Sequence, residues 1–349
     1  MKKDTKIYKQ LPELLLPWYK ENARDLPWRE NQEPYRVWVS EIMLQQTRVE
    51  AVIGYYQRFL EALPDIKTLA NAPEAQLLKL WEGLGYYNRV RNLQKAAQVV
   101  CEQHHGVFPN TYEEILALPG IGAYTAGAIS SICFGLPRAA VDGNVLRILS
   151  RMTASDTPID LEETKKSFAE RLEAVYPEGH CGTFTQALME LGACVCTPKS
   201  PSCDLCPVRE ICRARKQNQI TKYPVRLPKR EKKLQSLSVF LLECDGKFAL
   251  TQRDRKGLLS GLWQLPNTDQ VFLDADAALL YIQTEGIKPQ RLLRTLDRQH
   301  IFTHIKWEMR CYHVLCRKES ADYTWASLGE IRKKYALPTA FRMFFEDME

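Results

Sequence analysis

The spacing of apolar residues divides the chain into two parts with different patterns of apolar and polar positions. From Leu11 to about Arg215 the apolar residues recur at helical spacing, as in the segments that begin at Tyr35, Ala75 and Val90. This period is typical of amphipathic α-helices that bury one face, and Pro, Gly or Asn residues bound the segments. The pattern predicts an all-α first part made of short, closely connected helices.

A basic, proline-containing stretch, residues 222–236, separates this part from the rest. It begins KYPVRLPKREKKLQ and has little to bury, which is typical of a linker. Beyond it, LSVFLLE, KFALTQR and IKWEMRCYHVLC alternate apolar with polar residues or are rich in β-formers. The sequence therefore predicts a smaller α+β domain over residues 237–349.

Length and composition are those of an ordinary globular protein with two hydrophobic cores. The chain has 349 residues, 45% of them hydrophobic and 26% charged, and its net charge of +6 permits an anionic partner without demonstrating one. The 23 uncharged residues from Ile115 to Pro137 are long enough to cross a bilayer. Because prolines, glycines and small residues interrupt them, we predict a buried helical hairpin instead, and we expect a cytoplasmic protein.

Four cysteines form the clearest candidate metal site. Cys196, Cys203, Cys206 and Cys212 have six, two and five intervening residues. The chain starts without a secretory signal, so reduced thiols are expected. Zinc sites usually show two CxxC pairs, whereas one pair with longer gaps suits thiolates that reach over the corners of a cubane. The spacing favours a [4Fe–4S] cluster over zinc. Cys194 has no complementary spacing and is left out of the predicted ligand set.

A glycine-rich turn and an aspartate form a second group of candidates. Gly120 and Gly122 precede a helix of small residues, so backbone N–H groups there are placed to bind a phosphate. The same turn also occurs between packed helices that bind nothing. Asp142 precedes Gly143 at the start of an apolar-periodic helix, which predicts a helix N-cap. A carboxylate held there could also stabilise a developing positive charge.

Together these motifs resemble a known family. LPGIG, VDGNV and the four-cysteine spacing, within residues 25 to 215, are similar to the helix-hairpin-helix DNA glycosylases of the endonuclease III and MutY branch. The resemblance implies a DNA-repair enzyme with two α-helical lobes, a cleft between them and a [4Fe–4S] cluster. A six-helix lobe would span about 29–136, and an iron–sulfur lobe about 1–28 with 137–221.

The resemblance also assigns catalytic roles. Tyr124 stands where the lyase branch has a lysine, and a phenol cannot form a Schiff base, so the chain resembles the monofunctional MutY type. Glu41, in SEIMLQQT among apolar neighbours, matches the MutY glutamate that protonates adenine N7, and burial would keep it protonated. Asp142 would stabilise the cationic sugar, and Asn144 would orient Asp142 or water.

Further residues follow from the same resemblance. Adenine contacts are expected from Trp28, Arg29 and Gln186, and DNA contacts from Gln46, Tyr86, Gly120 and Gly122. Gln46 and Tyr86 would insert beside the base opposite the adenine and so help to extrude it.

The C-terminal domain resembles the MutT-like module of MutY enzymes. It lacks the acidic REXXEE helix that binds magnesium in Nudix hydrolases, so recognition is expected instead of nucleotide hydrolysis. In the family a Phe-Ser-His loop reads 8-oxoguanine, and here the matching residues are Phe302, Thr303 and His304. Threonine keeps the hydroxyl and adds a methyl group beside the lesion.

The expected function is that of a monofunctional glycosylase that excises adenine opposite 8-oxoguanine or guanine in double-stranded DNA. A monomer that reaches the nucleoid through DNA is expected. Two alternatives stay open at this point: an endonuclease III-like pyrimidine glycosylase and lyase, against which Tyr124 argues, and a non-catalytic iron–sulfur DNA-binding protein.

Overall fold

The computed structural model describes residues 2–228 and 231–348, which form two compact units. The first unit contains residues 2–72 and 88–228, and the second contains residues 73–87 together with 231–348. The sequence predicts residues 73–87 as part of the helical lobe, so their place in the second unit is a difference. Periodicity alone indicates that they form a helix but not which core it joins. Residues 229 and 230 of the predicted linker lie outside the described residues.

All regular structure within residues 2–228 is helical, as predicted. The α-helices are α1 Lys2–Lys9, α2 Leu11–Asn22, α3 Pro34–Leu44, α4 Val49–Ala62, α5 Ile66–Asn71, α6 Glu74–Leu80, α7 Asn88–Gln103, α8 Tyr112–Ala117, α9 Ala123–Phe134, α10 Gly143–Thr153, α11 Glu162–Glu173, α12 Cys181–Glu190 and α13 Arg213–Lys216. Of these, α6 belongs to the second unit. A π-helical turn, Leu191–Val195, follows α12 and leads into the first cysteine of the four.

One long periodic segment is interrupted. The apolar pattern from Tyr35 continues past the end of α3, yet the helix ends at Leu44 and the next one begins at Val49. Between them, Gln46 has a φ of 62°. Arg89 donates to three carbonyls at the end of α3, at 2.6 to 3.1 Å. A cation at this position binds carbonyls that the helix leaves unpaired. It also interacts favourably with the negative, C-terminal end of the helix dipole.

A hydrophobic core in the first unit joins the N-terminal helices to α10, α11 and α12. Leu11 and Leu15 from α2 are fully buried with Leu149, Leu172 and Phe184. These residues come from far apart in the chain, because each helix has only one apolar face and needs partners to cover it. The packing holds the start of α10, which carries Asp142.

The second unit is built on a mixed sheet. Its strands are β1 Lys233–Cys244, β2 Lys247–Gln252, β3 Trp263–Gln264, β4 Asn267–Thr268, β5 Pro289–Ile301, β6 Ile305–Cys316 and β7 Thr324–Ser327. The order is β3-β2-β1-β6-β5, with β4 pairing β1 and β7 pairing β2. β1 and β6 are parallel, and β5 and β6 form an antiparallel hairpin.

Helices cover both faces of this sheet. Val239 and Leu241 pack in one core with residues of α15 (Leu328–Lys334) and α16 (Thr339–Arg342). Phe240 and Leu242 point to the other face, toward α14 (Ala275–Thr284). This alternation is the period of two expected of a strand buried on both sides. The predicted α+β class is confirmed.

The first strand begins earlier than the sequence indicates. β1 starts at Lys233, inside the stretch predicted as linker, whereas the domain start was predicted at Leu237. Lys233 pairs with Ile305 in the parallel ladder, and its N–H donates to the carbonyl of His304 at 2.9 Å. Long-range pairing satisfies the backbone of a basic segment that has no strand pattern of its own.

Candidate active site and cluster site

The predicted hairpin lies between α8 and α9. Gly120 has a φ of 76°, and a Cβ there would lie 2.5 Å from the Cβ of Asn92, so only glycine fits. Gly122 is the N-cap of α9 and contributes no side-chain cap. The first N–H groups of α9 therefore face outward at an exposed turn, where they are suited to a phosphate oxygen.

Asp142 is the N-cap of α10, as predicted. Its Oδ1 accepts the N–H of Val145 at 2.8 Å, and its Oδ2 accepts the Nδ2 of Asn144 at 2.7 Å. Burial raises the pKa of Asp142, while these two donors act in the opposite direction. The carboxylate is thus held at a helix N-terminus with both oxygens engaged, an arrangement that favours the anion.

Glu41 lies on α3 and is buried, with only 5% of its surface exposed. The Tyr124 hydroxyl donates to its Oε2 at 2.6 Å. Burial raises the pKa of Glu41 to about 7, and the nearby Asp142 carboxylate adds to this rise. Burial and the Glu41 carboxylate also hold the pKa of Tyr124 well above its usual range. Near neutral pH a substantial fraction of Glu41 therefore carries a proton, as a general acid requires.

The two carboxyl groups differ in the number of donors that stabilise their charge. Asp142 has two N–H donors and the N-terminus of α10, whereas the hydrogen bond to Glu41 comes from the phenol of Tyr124. When two acidic groups share a site, the better-solvated one ionises first and raises the pKa of the other. The donors therefore favour the charge on Asp142 and the proton on Glu41.

These residues line one cavity of about 540 Å³. Among the predicted site residues it is lined by Trp28, Arg29, Glu41, Gln46, Gly122, Tyr124, Asp142, Asn144 and Gln186. A cavity of this volume lies in the usual range for small-molecule sites and can hold a nucleoside. Gly120 lies in the hairpin turn and is not among the lining residues, and the other predicted DNA and lesion contacts belong to the second unit.

Arg29 is engaged by a residue that sequence analysis missed. Its Nη2 lies 2.7 Å from Oε2 of Glu190, whose side chain is fully buried. Arg24 binds the same carboxylate through Nε and Nη2, at 2.7 and 3.0 Å. The two guanidinium groups lower the pKa of Glu190 to about 2. The sequence contains no signal for this triad, since its members are separated by some 160 positions.

The other predicted adenine contacts line the same cavity. Trp28 is 8% exposed and packs edge-on against Tyr56, with ring centroids 5.5 Å apart. The Oε1 of Gln186 accepts the Tyr19 hydroxyl at 2.6 Å, which fixes the orientation of the amide. The cavity thus has a rigid aromatic wall and a positioned amide.

A chain of hydrogen bonds runs from Asp142 toward the cysteines. Asn144 donates to Asp142 and accepts Nη2 of Arg147 at 2.9 Å. Arg147 in turn donates through Nε to the carbonyl of Cys196, at 2.8 Å. Gly192 is needed beside it, because a Cβ there would lie 2.5 Å from the Cβ of Asn144. The three-residue step from Asn144 to Arg147 on one helix is the signal that could have found Arg147.

The four predicted cysteines line a separate cavity. Cys196, Cys203, Cys206 and Cys212 surround it with Ile148, Met152, Arg151, Arg209 and Arg215 among its other walls. Arg151 is 3% exposed and donates to the Cys196 Sγ at 3.3 Å. A buried guanidinium beside four thiols suits an anionic cluster, whose charge needs compensation and hydrogen bonds.

The arrangement of the thiols also bears on the choice of metal. Within residues 2–228 and 231–348, no three Cys, His, Asp or Glu side chains are placed to hold a single ion. The four thiols around one cavity can each bind one iron of a cubane cluster. The residues present therefore fit a [4Fe–4S] cluster, which the four cysteines would hold.

The predicted lesion-reading loop joins β5 to β6 in the second unit. Phe302 packs edge-on against Trp307 with ring centroids 4.7 Å apart, while Thr303 and His304 are exposed. The hydroxyl of Thr303 lies 2.8 Å from that of Tyr86. Two residues predicted separately, one as a wedge and one as a lesion contact, therefore form one surface.

Comparisons with known proteins agree with this architecture. Residues 39–174 match the HhH-GPD superfamily base excision DNA repair protein family, residues 196–212 match the iron-sulfur binding domain of endonuclease III, and residues 238–347 match the NUDIX domain. The solved structure of a thermostable thymine-DNA glycosylase is similar, with 29% sequence identity and a TM-score of 0.56. The match covers 61% of this chain and 98% of the glycosylase chain. The fold and the site thus define a DNA glycosylase that binds DNA and carries a [4Fe–4S] cluster.

Two curated relatives narrow the family. The adenine DNA glycosylase of Buchnera aphidicola subsp. Baizongia pistaciae is 34% identical over 88% of this chain and 86% of its own length. That of Homo sapiens is 35% identical over 85% of this chain and 65% of its own length. The chain belongs to the adenine DNA glycosylase family. Among the described residues, every helix is too short or too polar to cross a bilayer.

Replacing Cys212 with serine is expected to abolish the cluster, because an alcohol is a poor ligand for iron. The matched control is Cys194→Ser, which changes an exposed thiol outside the predicted set. Iron and acid-labile sulfide, measured together with the midpoint of thermal unfolding, should fall in the first variant and stay at the wild-type level in the second. Equal cluster content in the two variants, or bound zinc in the wild type, would contradict the assignment.

Proposed function

We propose that this enzyme excises adenine mispaired with 8-oxoguanine or guanine and so initiates base excision repair. The observation that carries the proposal is the pair of carboxyl groups, Glu41 and Asp142, which line one cavity and have different hydrogen-bond donors. Glycoside hydrolysis uses such a pair, an acid for the leaving group and an anion for the sugar. The family to which the chain belongs supports adenine as the base.

In the proposed reaction an extruded adenine occupies the cavity beside Trp28, Arg29 and Gln186. Glu41 donates its proton to N7, so the base leaves as a neutral purine when the bond between N9 and C1′ breaks. Asp142 stabilises the oxocarbenium-like sugar, and Asn144 holds the carboxylate in place. The Glu41 carboxylate then takes a proton from the water that adds to C1′, which returns the acid for the next turnover.

Strand cleavage is not part of the proposal. A lyase needs an amine at the sugar, whereas Tyr124 has a phenol, whose hydroxyl donates a hydrogen bond to Glu41. Its proposed role is to orient the acid, and its side chain lines the same cavity.

The test is release of free adenine by the purified protein from duplexes that differ in the base opposite adenine. Release opposite 8-oxoguanine and guanine, with little from an adenine–thymine pair, is the expected result. Each product strand should break only after treatment with alkali. Strand breaks without alkali, together with an adduct trapped by borohydride, would favour the glycosylase-lyase alternative.

Reading of the opposite base is proposed for the loop of Phe302, Thr303 and His304. Replacing Thr303 with alanine removes the hydroxyl, and the preference for 8-oxoguanine over guanine should fall roughly 2- to 12-fold, the value of one hydrogen bond. Thr303→Ser keeps the hydroxyl and should keep the preference. Single-turnover rates on the two duplexes measure the ratio, and an unchanged ratio in Thr303→Ala would remove the hydroxyl from the recognition proposal.

A further inference from the structure

Residues 73–87, which we call the docking segment, belong to the second unit although helices of the first unit flank them in sequence. The docking segment consists of α6 and a turn in which Gly83 and Gly85 have φ values of 100° and 70°. The next residue, Tyr86, has a φ of 50°. A non-glycine residue rarely adopts this conformation, so the surrounding structure must hold it.

The middle of the docking segment is attached to the C-terminal helices by hydrogen bonds from Lys79 and Glu82, which also form an ion pair with each other. Lys79 Nζ lies 2.5 Å from Glu82 Oε2, and the two side chains are only 21% and 13% exposed. Lys79 also donates to the carbonyls of Ile331 and Tyr335, at 3.4 and 3.1 Å. The three N–H donors of the ammonium group therefore have three acceptors, two of them at the C-terminal end of α15.

Glu82 completes the attachment through its second oxygen. Its Oε1 accepts the backbone N–H of Leu337 at 2.9 Å. Leu337 is 1% exposed and lies in the same core as Trp307, against which Phe302 of the lesion-reading loop packs. The ion pair thus connects the docking segment to the core that supports the loop.

The C-terminal end of the docking segment meets the loop directly. The hydroxyl groups of Tyr86 and Thr303 are 2.8 Å apart. Trp81 is fully buried, and its Nε1 donates to the carbonyl of Gly85 at 3.1 Å, which ties the turn to the end of α6. A displacement of α6 would therefore be passed through this turn to Tyr86.

We propose that Lys79 and Glu82 are positioning residues that set the enzyme's preference for the base opposite adenine. By fixing the docking segment where α6 leads into the turn, they hold Tyr86 against Thr303, so that both present one surface to that base. This inference rests on the proposed function, in which these two side chains contact the opposite base. Since discrimination is a difference between two affinities, loss of this placement reduces the preference and leaves the chemistry of Glu41 and Asp142 intact.

The test is a double variant, Lys79→Met with Glu82→Gln, which removes both charges and leaves no buried ion unpaired. Its matched control is Lys165→Met with Glu162→Gln, a surface ion pair of α11 with the same spacing and the same 2.5 Å separation. Single-turnover adenine release is measured opposite 8-oxoguanine and opposite guanine. We expect the ratio of the two rates to fall about tenfold in the first double variant, a coupling typical of contacting residues, and to stay at the wild-type value in the control.

Two further measurements separate positioning from general destabilisation. Lys79→Arg keeps the charge and the donors, so this variant should keep most of the wild-type ratio of the two release rates. Tyr86→Phe removes only the hydroxyl and should lower the ratio in the same direction, which keeps the test available even if the double variant does not fold. Hydrogen exchange in residues 81–88 should be faster in the double variant than in the wild type at equal global stability.

The outcomes distinguish this inference from the proposed function. A wild-type preference for 8-oxoguanine that the double variant keeps, or rates that fall equally on both duplexes, overturns the positioning role alone. A wild type that releases adenine equally from both duplexes overturns the recognition part of the proposed function and this inference with it. No adenine release from any duplex refutes the proposed function itself.

Discussion

Asp142→Asn is expected to reduce adenine release by at least roughly 100-fold, the loss typical of removing one preorganised electrostatic contact to a transition state. The variant should fold and bind duplex DNA, because asparagine is as good an N-cap as aspartate and can still accept the N–H of Val145. What it lacks is the negative charge beside the developing sugar cation. Single-turnover rates and duplex affinity, measured on the same preparation, separate the two properties.

The chain offers a matched control for this variant. Asp65 is also an N-cap aspartate, and its side chain accepts the N–H of Thr68 at the start of α5. Asp65→Asn makes the same chemical change at an exposed cap outside the candidate active-site cavity, so its rate should equal that of the wild type. Full activity in Asp142→Asn, or an equal loss in both variants, would remove the catalytic role of Asp142.

Glu41→Gln is expected to abolish adenine release at every pH, because the amide has no proton to donate to N7. In the wild type the rate should fall about tenfold per pH unit above the pKa of about 7, and it should also fall at acidic pH once Asp142 takes up a proton. The sign follows from the role: the protonated form is the active one, so the alkaline side of the profile is lost. A rate that rises between pH 6 and 8 would exclude Glu41 as the acid.

Glu41→Gln should raise the stability of the protein at alkaline pH although it abolishes activity. The pKa of Glu41 is raised from 4.5 to about 7 in the folded protein. Its contribution to stability is therefore fully present below pH 4.5 and is lost as the pH rises through 7, where a charge must be buried. Glu41→Gln removes this penalty, so at pH 8 the variant should unfold at a higher temperature than the wild type, and at pH 4.5 this advantage should be absent.

Glu61→Gln is the control for both measurements. Glu61 is exposed on α4, so its neutralisation should alter neither the rate nor the pH dependence of unfolding. If Glu41→Gln lost activity and also stability at pH 8, the loss of activity would be attributable to disruption of the fold. The predicted combination, an inactive and more stable protein, is what a buried catalytic acid requires.

Several parts of the site could be predicted because they obey local rules. Asp142 caps a helix by accepting the N–H of Val145, three residues further along, and Gly120 adopts a φ that other residues avoid. The cysteine spacing limits which centres four thiolates can reach. In each case the residues that decide the structure are neighbours in the chain, so the pattern is visible before the fold is known.

Other parts could not be predicted, because they depend on contacts between distant segments. Glu190 meets Arg24 and Arg29 across some 160 positions, and β1 extends into a basic stretch because β6 pairs with it. The docking segment contacts the rest of the second unit through Lys79, Glu82 and Tyr86, whose partners lie more than 200 positions further along the chain. Residue type and spacing contain no information on such partners.

By itself, therefore, the sequence determined the helical and α+β texture, the capped aspartate, the glycine turn and the ligands expected for a cluster. Only the tertiary structure decided that Glu41 is buried enough to hold a proton near pH 7, and that Tyr86 and Thr303 share one surface. The physical reason is the range of the interactions. Caps, turns and periodicity act over a few residues, whereas burial and long-range hydrogen bonds exist only once separate segments have packed together.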